Sequence, residues 1–256
     1  MTTGIAGGHA GRWITEALAA EGLAPRWAYA AAESRTTYVT VDRSGSAIIV
    51  YEQPSPATEE EFAAFLDLLT DELLPLCERA IVAGSIPSGL DAQGHAAIVE
   101  VCHRAGRALL VDASGAGLLA ALAARPDVVK IGLVEAIEAG LVAPCASTLD
   151  AATALVDKGA TMAVVTDGAG EVAASDARRT WQVEVPTVEA VNAVGSGDAF
   201  NAAFSLALMA DAPMESALIQ GVAGGSANAL ALGAGMLDPT VAQRLQRDIS
   251  VDTAER

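Results

Sequence analysis

Short apolar segments alternate with helix-like segments through the middle of the chain. The apolar segments span residues 80–83, 108–112, 128–131 and 162–166, and helical patterns begin at Asp91, Gly115, Glu135 and Asp150. Short apolar strands that alternate with helices are typical of a parallel sheet covered by helices on its two sides. The pattern therefore predicts an α/β fold with a mostly parallel sheet.

The first fifty residues have a different pattern. Residues 2–6 read as a short strand, and residues 12–21 read as a helix. Two β-rich segments, residues 38–42 and 47–51, flank the turn-forming residues 43–46. This arrangement predicts a β-hairpin close to the start of the chain.

The composition limits the class of protein. A chain of 256 residues can bury a sizeable core and is expected to form one domain. The formal charge of −17, with no basic cluster, argues against a nucleic-acid partner. No apolar run is long enough to span a bilayer, and Arg12 and Glu16 stand where a signal peptide would need apolar residues. We therefore expect a cytoplasmic protein with no membrane partner, and its three cysteines have no metal-ligand spacing.

A glycine-rich turn, Val-Gly-Ser-Gly-Asp at residues 194–198, precedes an apolar helix pattern that places Phe200 and Phe204 on one face. Such a turn presents unpaired N–H groups at the positive end of a helix, which suits an anion. Asp198 stands where a carboxylate could take a proton from a hydroxyl beside that anion. Phosphoryl transfer to an alcohol requires this combination. The alternative is a tight turn with an N-capping aspartate, which contributes about 1 kcal/mol to helix stability.

Further candidate residues follow the predicted strands. The small-residue loop 84–89, which contains Ser85, lets a ligand approach the backbone closely. Glu135 follows the third strand, and the loop 167–170 follows the fourth. Because ligands bind outside the carboxyl ends of strands in parallel sheets, these loops predict one cleft.

Six short motifs lie in order along the chain: Gly7-Gly8-x-x-Gly11-Arg12, Glu33-Ser34-Arg35-Thr36, Gly84-Ser85-Ile86-Pro87-x-Gly89, Lys130 followed by Glu135, Thr166-x-Gly168, and Val191-Asn192-Ala193-Val194-Gly195-Ser196-Gly197-Asp198. Together they resemble the ribokinase-like (PfkB) family of carbohydrate kinases, and within it the 1-phosphofructokinase and tagatose-6-phosphate kinase branch. The resemblance implies a three-layer α/β/α sandwich in a single domain over residues 1–256, with residues 36–53 as a lid-type hairpin. It also implies ATP and Mg²⁺ as cofactors, a sugar phosphate as substrate, and a homodimer formed through the hairpin.

The resemblance assigns the chemistry to the glycine-rich turn. Asp198 would be the base that takes the proton from the sugar hydroxyl. The N–H groups of Gly195, Ser196 and Gly197 would form an anion hole around the transferred phosphoryl group.

Other matched positions would hold the nucleotide. Glu135 would hold Mg²⁺ through water on the ATP phosphates, with Lys130 nearby as a point charge. Thr166, Gly168 and Asn228 would lie along the nucleotide. An ordinary helix residue is the open alternative for Asn228.

Two matched positions would bind the sugar phosphate. Arg35 would meet the phosphate already on the sugar, because arginine suits bidentate phosphate recognition, and Ser85 would border the substrate. A solvated charge on an edge strand is the alternative for Arg35.

The chain departs from the family pattern in two places. Family members begin with a strand, a lid segment and a Gly-Gly-Lys-Gly-type turn, and this sequence starts after them. We therefore expect an unfilled position in the sheet and one open wall of the cleft. The family also has an asparagine where this chain has Gly132, three residues before Glu135, which bears on how Mg²⁺ is held.

Two other functions stay open at this point. The chain could be a catalytically weak remnant or scaffold that still binds nucleotide, or that another polypeptide completes. It could also be a dinucleotide-binding oxidoreductase, because Gly8 and Gly11 follow a predicted strand and Glu33 lies downstream as a possible ribose partner.

Overall fold

The computed structural model describes residues 1–41, 47–53, 55–88, 90 and 93–256. Its largest sheet has seven strands in the order β11-β10-β9-β8-β7-β6-β5. The strands are β5 (Arg79–Ala83), β6 (Ala108–Asp112), β7 (Val128–Gly132), β8 (Met162–Thr166), β9 (Glu171–Ser175), β10 (Arg179–Glu184) and β11 (Val251–Glu255). Strands β5 to β8 pair in parallel, and β9, β10 and β11 continue the sheet antiparallel.

Helices cover both faces of this sheet. They are α2 (Glu59–Leu68), α3 (Gln93–Arg104), α4 (Gly115–Ala123), α5 (Leu133–Glu138), α6 (Thr148–Asp157), α7 (Ser196–Met209), α8 (Met214–Ala229) and α9 (Pro239–Leu245). A π-helical turn, Leu69–Leu73, and a 3₁₀ turn, Leu74–Leu76, extend α2, and another 3₁₀ turn, Gln246–Asp248, extends α9.

Alternation along the strands divides the core into layers. In β6, Leu110 packs with Phe200 and Phe204 of α7, whereas its neighbour Leu109 packs on the opposite face with Ile98 of α3. Successive strand residues point to opposite faces of a sheet, so an apolar strand joins two helical layers. The predicted three-layer α/β/α sandwich with a mostly parallel sheet is confirmed.

The starts predicted for helices α5 and α6 lie two residues after the observed starts. Helix α5 begins at Leu133 and α6 at Thr148, each two residues before the predicted start at Glu135 or Asp150. Both acidic residues occupy the third helical position, from which the side chain accepts a bond from the N-cap N–H. An acidic residue in the first turn therefore marks a start that lies upstream of it.

The N-terminal residues form a separate parallel pair of strands. Strand β1 (Thr3–Ala6) leads into helix α1 (Gly8–Ala20) and then into β2 (Arg26–Tyr29). Helix α1 begins four residues before the predicted Arg12, because the chain turns directly after β1. An open groove of about 550 Å³ lies between β1 and β5.

The predicted hairpin is present as β3 (Thr37–Val41) and β4 (Ala47–Tyr51), with Tyr38 opposite Val50. Asp42 and the predicted turn residues 43–46 lie outside the described residues. In the part of the chain that the structure describes, no helix is long and apolar enough to cross a bilayer.

Candidate active site

The glycine-rich turn lies at the N-terminus of the 14-residue helix α7. Gly195 is the N-cap residue and has a φ of +82°, which side chains rarely adopt, and a β-carbon there would lie 2.7 Å from Cβ of Ala234. Both observations restrict this position to glycine. The turn is thereby held against the 233–236 loop.

Two of the three predicted anion-hole donors are free. Among the described residues, the N–H groups of Gly195 and Gly197 have no hydrogen-bond partner. The N–H of Ser196 instead donates to the carbonyl of Ala193 at 3.1 Å. The prediction that Ser196 contributes its N–H is therefore corrected, because the turn itself uses that donor.

The ammonium group of Lys130 lies next to this turn. A β-carbon on Gly197 would lie 2.9 Å from Nζ of Lys130, so the absence of a side chain at Gly197 brings the ammonium next to the helix start. Lys130 is only 6% exposed, and its Nζ pairs with Oδ2 of Asp112 at 3.2 Å. Asn201 donates from Nδ2 to the same oxygen at 2.6 Å.

Asp112 and Asn201 were not identified from the sequence. Asp112 ends β6, so the rule that places ligands at strand ends could have found it. Asn201 lies three residues after Asp198, one helical turn along α7, and this spacing is the only signal that marks it. Through the bond of Asp112 to Lys130, they join β6 and β7 to the second turn of α7.

Asp198 lies in the first turn of α7. Its side chain is exposed, yet the surrounding protein removes enough water to raise the pKa of its carboxyl group, and nearby Asp112 raises it further while Lys130 opposes both. A carboxylate with a raised pKa binds a proton more readily than an ordinary aspartate. This property suits a general base.

Glu135 and Thr166 lie close together at the ends of β7 and β8. Oε2 of Glu135 accepts from the N–H of Gly132 at 2.7 Å. A β-carbon on Gly132 would lie 3.2 Å from that oxygen and 3.9 Å from the carbonyl of Thr166. Glycine at 132 thus leaves room around the carboxylate, although it cannot contribute a side-chain ligand.

The donor set fits Mg²⁺ held on phosphates. Within the described ranges, no group of three His, Cys, Asp or Glu side chains could form a protein cage for a metal. Mg²⁺ usually keeps several waters and binds through one or two carboxylates plus substrate phosphates. A single carboxylate such as Glu135 is therefore compatible with this ion.

The other two predicted nucleotide residues differ in accessibility. Gly168 is exposed in the turn after β8 with a φ of +53°. Asn228 is fully buried: it donates to the carbonyl of Val194 at 2.9 Å and accepts from the N–H of Gly235 at 2.8 Å. The predicted direct contact of Asn228 with nucleotide is therefore corrected, because its amide holds the glycine-rich turn and the 233–236 loop in place.

Arg35 and Ser85 line one cavity of about 230 Å³, together with Gly7 and Ser34. The N–H of Gly84, the residue before Ser85, donates to the carbonyl of Asp112 at 3.1 Å. The cavity therefore lies at the same edge of the sheet as the glycine-rich turn. A guanidinium and hydroxyl groups around a small cavity suit a phosphate group.

The start of α1 argues against a dinucleotide site. The carboxylate of Glu33 accepts from the N–H of Ala10 at 2.5 Å, and a β-carbon on Gly8 would overlap that carboxylate. A pyrophosphate would need this helix N-terminus. Because Glu33 already occupies it with a negative charge, the glycine pattern does not indicate an oxidoreductase.

Comparison with known proteins agrees with this geometry. The family model of the pfkB family carbohydrate kinases matches residues 2–240. Phosphofructokinase-2 from Escherichia coli in complex with potassium is 27% identical, with a TM-score of 0.83, and the match covers 96% of this chain and 81% of that chain. Two further solved structures share the fold. A putative phosphofructokinase from Staphylococcus aureus is 23% identical, with a TM-score of 0.81, and the match covers 99% of this chain and 81% of that chain. A possible 1-phosphofructokinase from Thermotoga maritima is 18% identical, with a TM-score of 0.86, and the match covers 98% of this chain and 81% of that chain. The chain belongs to the pfkB family of carbohydrate kinases.

Proposed function

We propose that this chain transfers the γ-phosphoryl group of ATP to a hydroxyl group of a ketohexose phosphate. The observation that carries the proposal is the arrangement at the start of α7, where the Asp198 carboxylate, the free N–H of Gly197 and the Lys130 ammonium meet. Donors and a positive charge stabilise the moving phosphoryl group, and a carboxylate orients the attacking hydroxyl.

Asp198 acts as the general base in this proposal. Its carboxylate accepts the proton of the sugar hydroxyl as that oxygen attacks the γ-phosphorus. The N–H groups of Gly195 and Gly197 donate to the phosphoryl oxygens, with the dipole of α7 behind them. Lys130 adds a positive charge at the same point.

The nucleotide would lie across the ends of β7 and β8. Gly168 and Thr166 border it, and Glu135 would hold Mg²⁺ through water. When bound, Mg²⁺ neutralises charge on the transferred phosphates. Asn228 contributes by fixing the turn from which the anion-hole donors project.

The sugar phosphate would occupy the cavity lined by Arg35 and Ser85. Phosphofructokinase-2 from Escherichia coli, 26% identical over 96% of this chain, has been solved in complex with fructose-6-phosphate. That relative supports a sugar phosphate as the substrate class. The hairpin β3–β4 would act as the lid of this cavity.

The test is ADP release in the presence of tagatose 6-phosphate, fructose 6-phosphate or fructose 1-phosphate, each with and without Mg²⁺. We expect release that requires both Mg²⁺ and one of the sugars, with saturation by that sugar. Release that is independent of every sugar would refute the sugar-kinase assignment.

A catalytically weak nucleotide-binding protein is the second candidate. The open groove between β1 and β5 favours it, because the groove leads to the cavity beside Arg35 and admits water. A rise in melting temperature with ATP, without ADP release for any of the three sugars, would support this alternative.

The exposed face of the hairpin is where a second copy would pair if the chain dimerises. Tyr38, Ile48 and Val50 expose apolar surface there. Light scattering on the parent and on Ile48→Lys would test this, and a monomeric parent would refute it.

A further inference from the structure

His95 is a buried polar residue that has no part in the proposed phosphoryl transfer. It lies in the first turn of α3 and is only 4% exposed. Its Nε2 lies 3.0 Å from the carbonyl oxygen of Gly84. Because a carbonyl oxygen only accepts hydrogen bonds, Nε2 carries the proton and donates it. The bond therefore joins α3 to the residue directly before Ser85.

The other ring nitrogen of His95 has no partner. Nδ1 is buried and unbonded among the described residues. Burial lowers the pKa of the imidazole and the bond to Gly84 offsets this only in part, so the ring is neutral at pH 7. A neutral ring that donates from Nε2 has a lone pair at Nδ1, and a buried lone pair without a donor costs free energy. Stability alone therefore does not explain a histidine at this position.

Two glycines allow close packing around the ring and around the loop that it contacts, Gly84 to Pro87, here called the 84–87 loop. A β-carbon on Gly117 would lie 2.5 Å from Nδ1 of His95, so the imidazole packs tightly against α4. A β-carbon on Gly94 would lie 3.0 Å from Cγ2 of Ile86, so the loop packs tightly on α3. The ring is thus held between α4 and the 84–87 loop.

The 84–87 loop separates two cavities. Residues 85–87 line the cavity that contains Arg35, and they also line the groove between β1 and β5. His95 lines the groove together with them. His95 therefore supports the loop from the groove side, whereas Arg35 faces it across the smaller cavity.

Few hydrogen bonds fix the 84–87 loop. At its start, the N–H of Gly84 donates to the carbonyl of Asp112 at 3.1 Å, and just after its end Ser88 bonds to residues 55 and 57. The N–H groups of Ser85 and Ile86 donate to no described residue. Because the carbonyl of Gly84 and the N–H of Ser85 belong to one planar peptide, the bond to His95 also sets the direction of that N–H.

We propose that His95 is a positioning residue for the sugar-phosphate site. Its Nε2–H holds the carbonyl of Gly84 and thereby keeps residues 85–87 in place as a wall of the cavity that contains Arg35. The inference rests on the proposed function, because that cavity is where the sugar phosphate would bind. His95 acts through Gly84 and not on the substrate itself.

Two substitutions at His95 separate the donor from the bulk of the ring. His95→Gln keeps an N–H donor at a similar distance from the backbone, whereas His95→Leu fills the space without a donor. We expect His95→Leu to raise KM for the sugar phosphate by roughly fivefold to tenfold, as for the loss of one hydrogen bond, and to lower kcat less. KM for ATP should not change, and His95→Gln should recover most of the loss.

A substitution on the other side of the ring tests the same contact. Gly117→Ala adds a β-carbon 2.5 Å from Nδ1 of His95, so the ring must shift. We expect it to raise KM for the sugar phosphate, as His95→Leu does. In a His95→Ala background the added methyl group meets no ring, so Gly117→Ala should have no further effect on KM.

Amide hydrogen exchange gives a readout that needs no turnover. The N–H of Gly84 is protected by its bond to Asp112, and we expect it to exchange roughly fivefold faster in His95→Leu but not in His95→Gln. His95→Leu should keep the parent melting temperature, because it also removes the unpaired Nδ1. His103→Leu, the same change at an exposed position near the end of α3, is the control and should leave KM and Gly84 exchange unchanged.

An unchanged KM for the sugar phosphate in His95→Leu, or unchanged exchange at Gly84, would overturn the proposal. Equal losses in His95→Leu and His95→Gln would also overturn it, because the donor would then not matter. If the parent chain releases no ADP with any of the three sugars, the kinase assignment fails by itself. Exchange at Gly84 then decides the role of His95: faster exchange in His95→Leu upholds its hold on the loop, and unchanged exchange refutes it.

Discussion

The ammonium of Lys130 lies 2.9 Å from the point where a β-carbon on Gly197 would stand. Lys130 belongs to the sheet and Gly197 to the first turn of α7, so this contact joins the scaffold to the candidate anion hole. The positive charge is held beside the helix N-terminus by Asp112, which in turn is held by Asn201. The site is therefore a connected polar cluster rather than an isolated turn.

Substituting Gly197→Ala should lower kcat by roughly 10²-fold, because the backbone N–H is kept but the added β-carbon would lie 2.9 Å from Nζ of Lys130 and misplace the ammonium. Steady-state kinetics of ADP release measure this. Ala202→Gly, an exposed change farther along α7, is the control and should keep the parent kcat; an equal loss in both variants would contradict a specific role for Gly197.

Breaking the Asp112–Lys130 pair should destabilise the fold. Asp112→Asn leaves the buried Lys130 charge without its partner, and such a loss costs roughly 3 kcal/mol. Chemical denaturation measures the free energy of unfolding. The double variant Asp112→Asn with Lys130→Met should recover part of the loss, because no unpaired charge remains; additive losses would show that the two side chains do not interact.

The dependence of kcat/KM on pH should report Asp198. Its pKa is raised by desolvation first and then by Asp112, and the base must be ionised, so the acidic limb should lie above the range of an ordinary aspartate. Asp112→Asn removes one negative charge and should move that limb to lower pH. An unchanged limb would contradict the electrostatic coupling between the two carboxyl groups.

The same pKa shift has a consequence for stability. The folded state binds the Asp198 proton more tightly than the unfolded chain does. The contribution of Asp198 to stability is therefore most favourable at low pH and decreases as pH rises through its titration range. Asp198→Asn should remove that part of the pH dependence.

Arg35→Ala should raise KM for the sugar phosphate more than it lowers kcat. Arg35 would bind the phosphate equally in the ground state and the transition state, so its removal weakens uniform binding. Steady-state kinetics with varied sugar phosphate measure both constants. Arg35→Lys should recover only part of the affinity, because lysine lacks the bidentate fork; an unchanged KM in Arg35→Ala would refute the assignment.

The sequence predicted the layers of the fold because a strand that is buried on both faces consists of consecutive apolar residues. Leu109, Leu110 and Val111 are all apolar, and each packs against one of the two helical layers. The helix starts predicted at Glu135 and Asp150 were two residues late for a different reason. These side chains accept a hydrogen bond from the N-cap N–H, and a hydrophobic pattern does not indicate such a bond.

The site was predictable only where its chemistry depends on local sequence. Gly195 and Gly197 follow from the turn itself, whereas Asn201 and Asp112 lie 89 positions apart and meet only in the folded sheet. Asn228 was misassigned for the same reason: its partners, Val194 and Gly235, are brought to it by tertiary structure. A motif match identifies a position but does not show which way its side chain points.

The most direct test of the account compares Asp198→Asn with the parent chain at saturating ATP, Mg²⁺ and sugar phosphate. The asparagine keeps the shape of the side chain and cannot act as a base, so ADP release should fall by roughly 10³-fold. The rise in melting temperature with ATP should persist, because Asp198 is not assigned to nucleotide binding. Equal rates of ADP release in the variant and the parent would contradict the central claim that Asp198 is the general base.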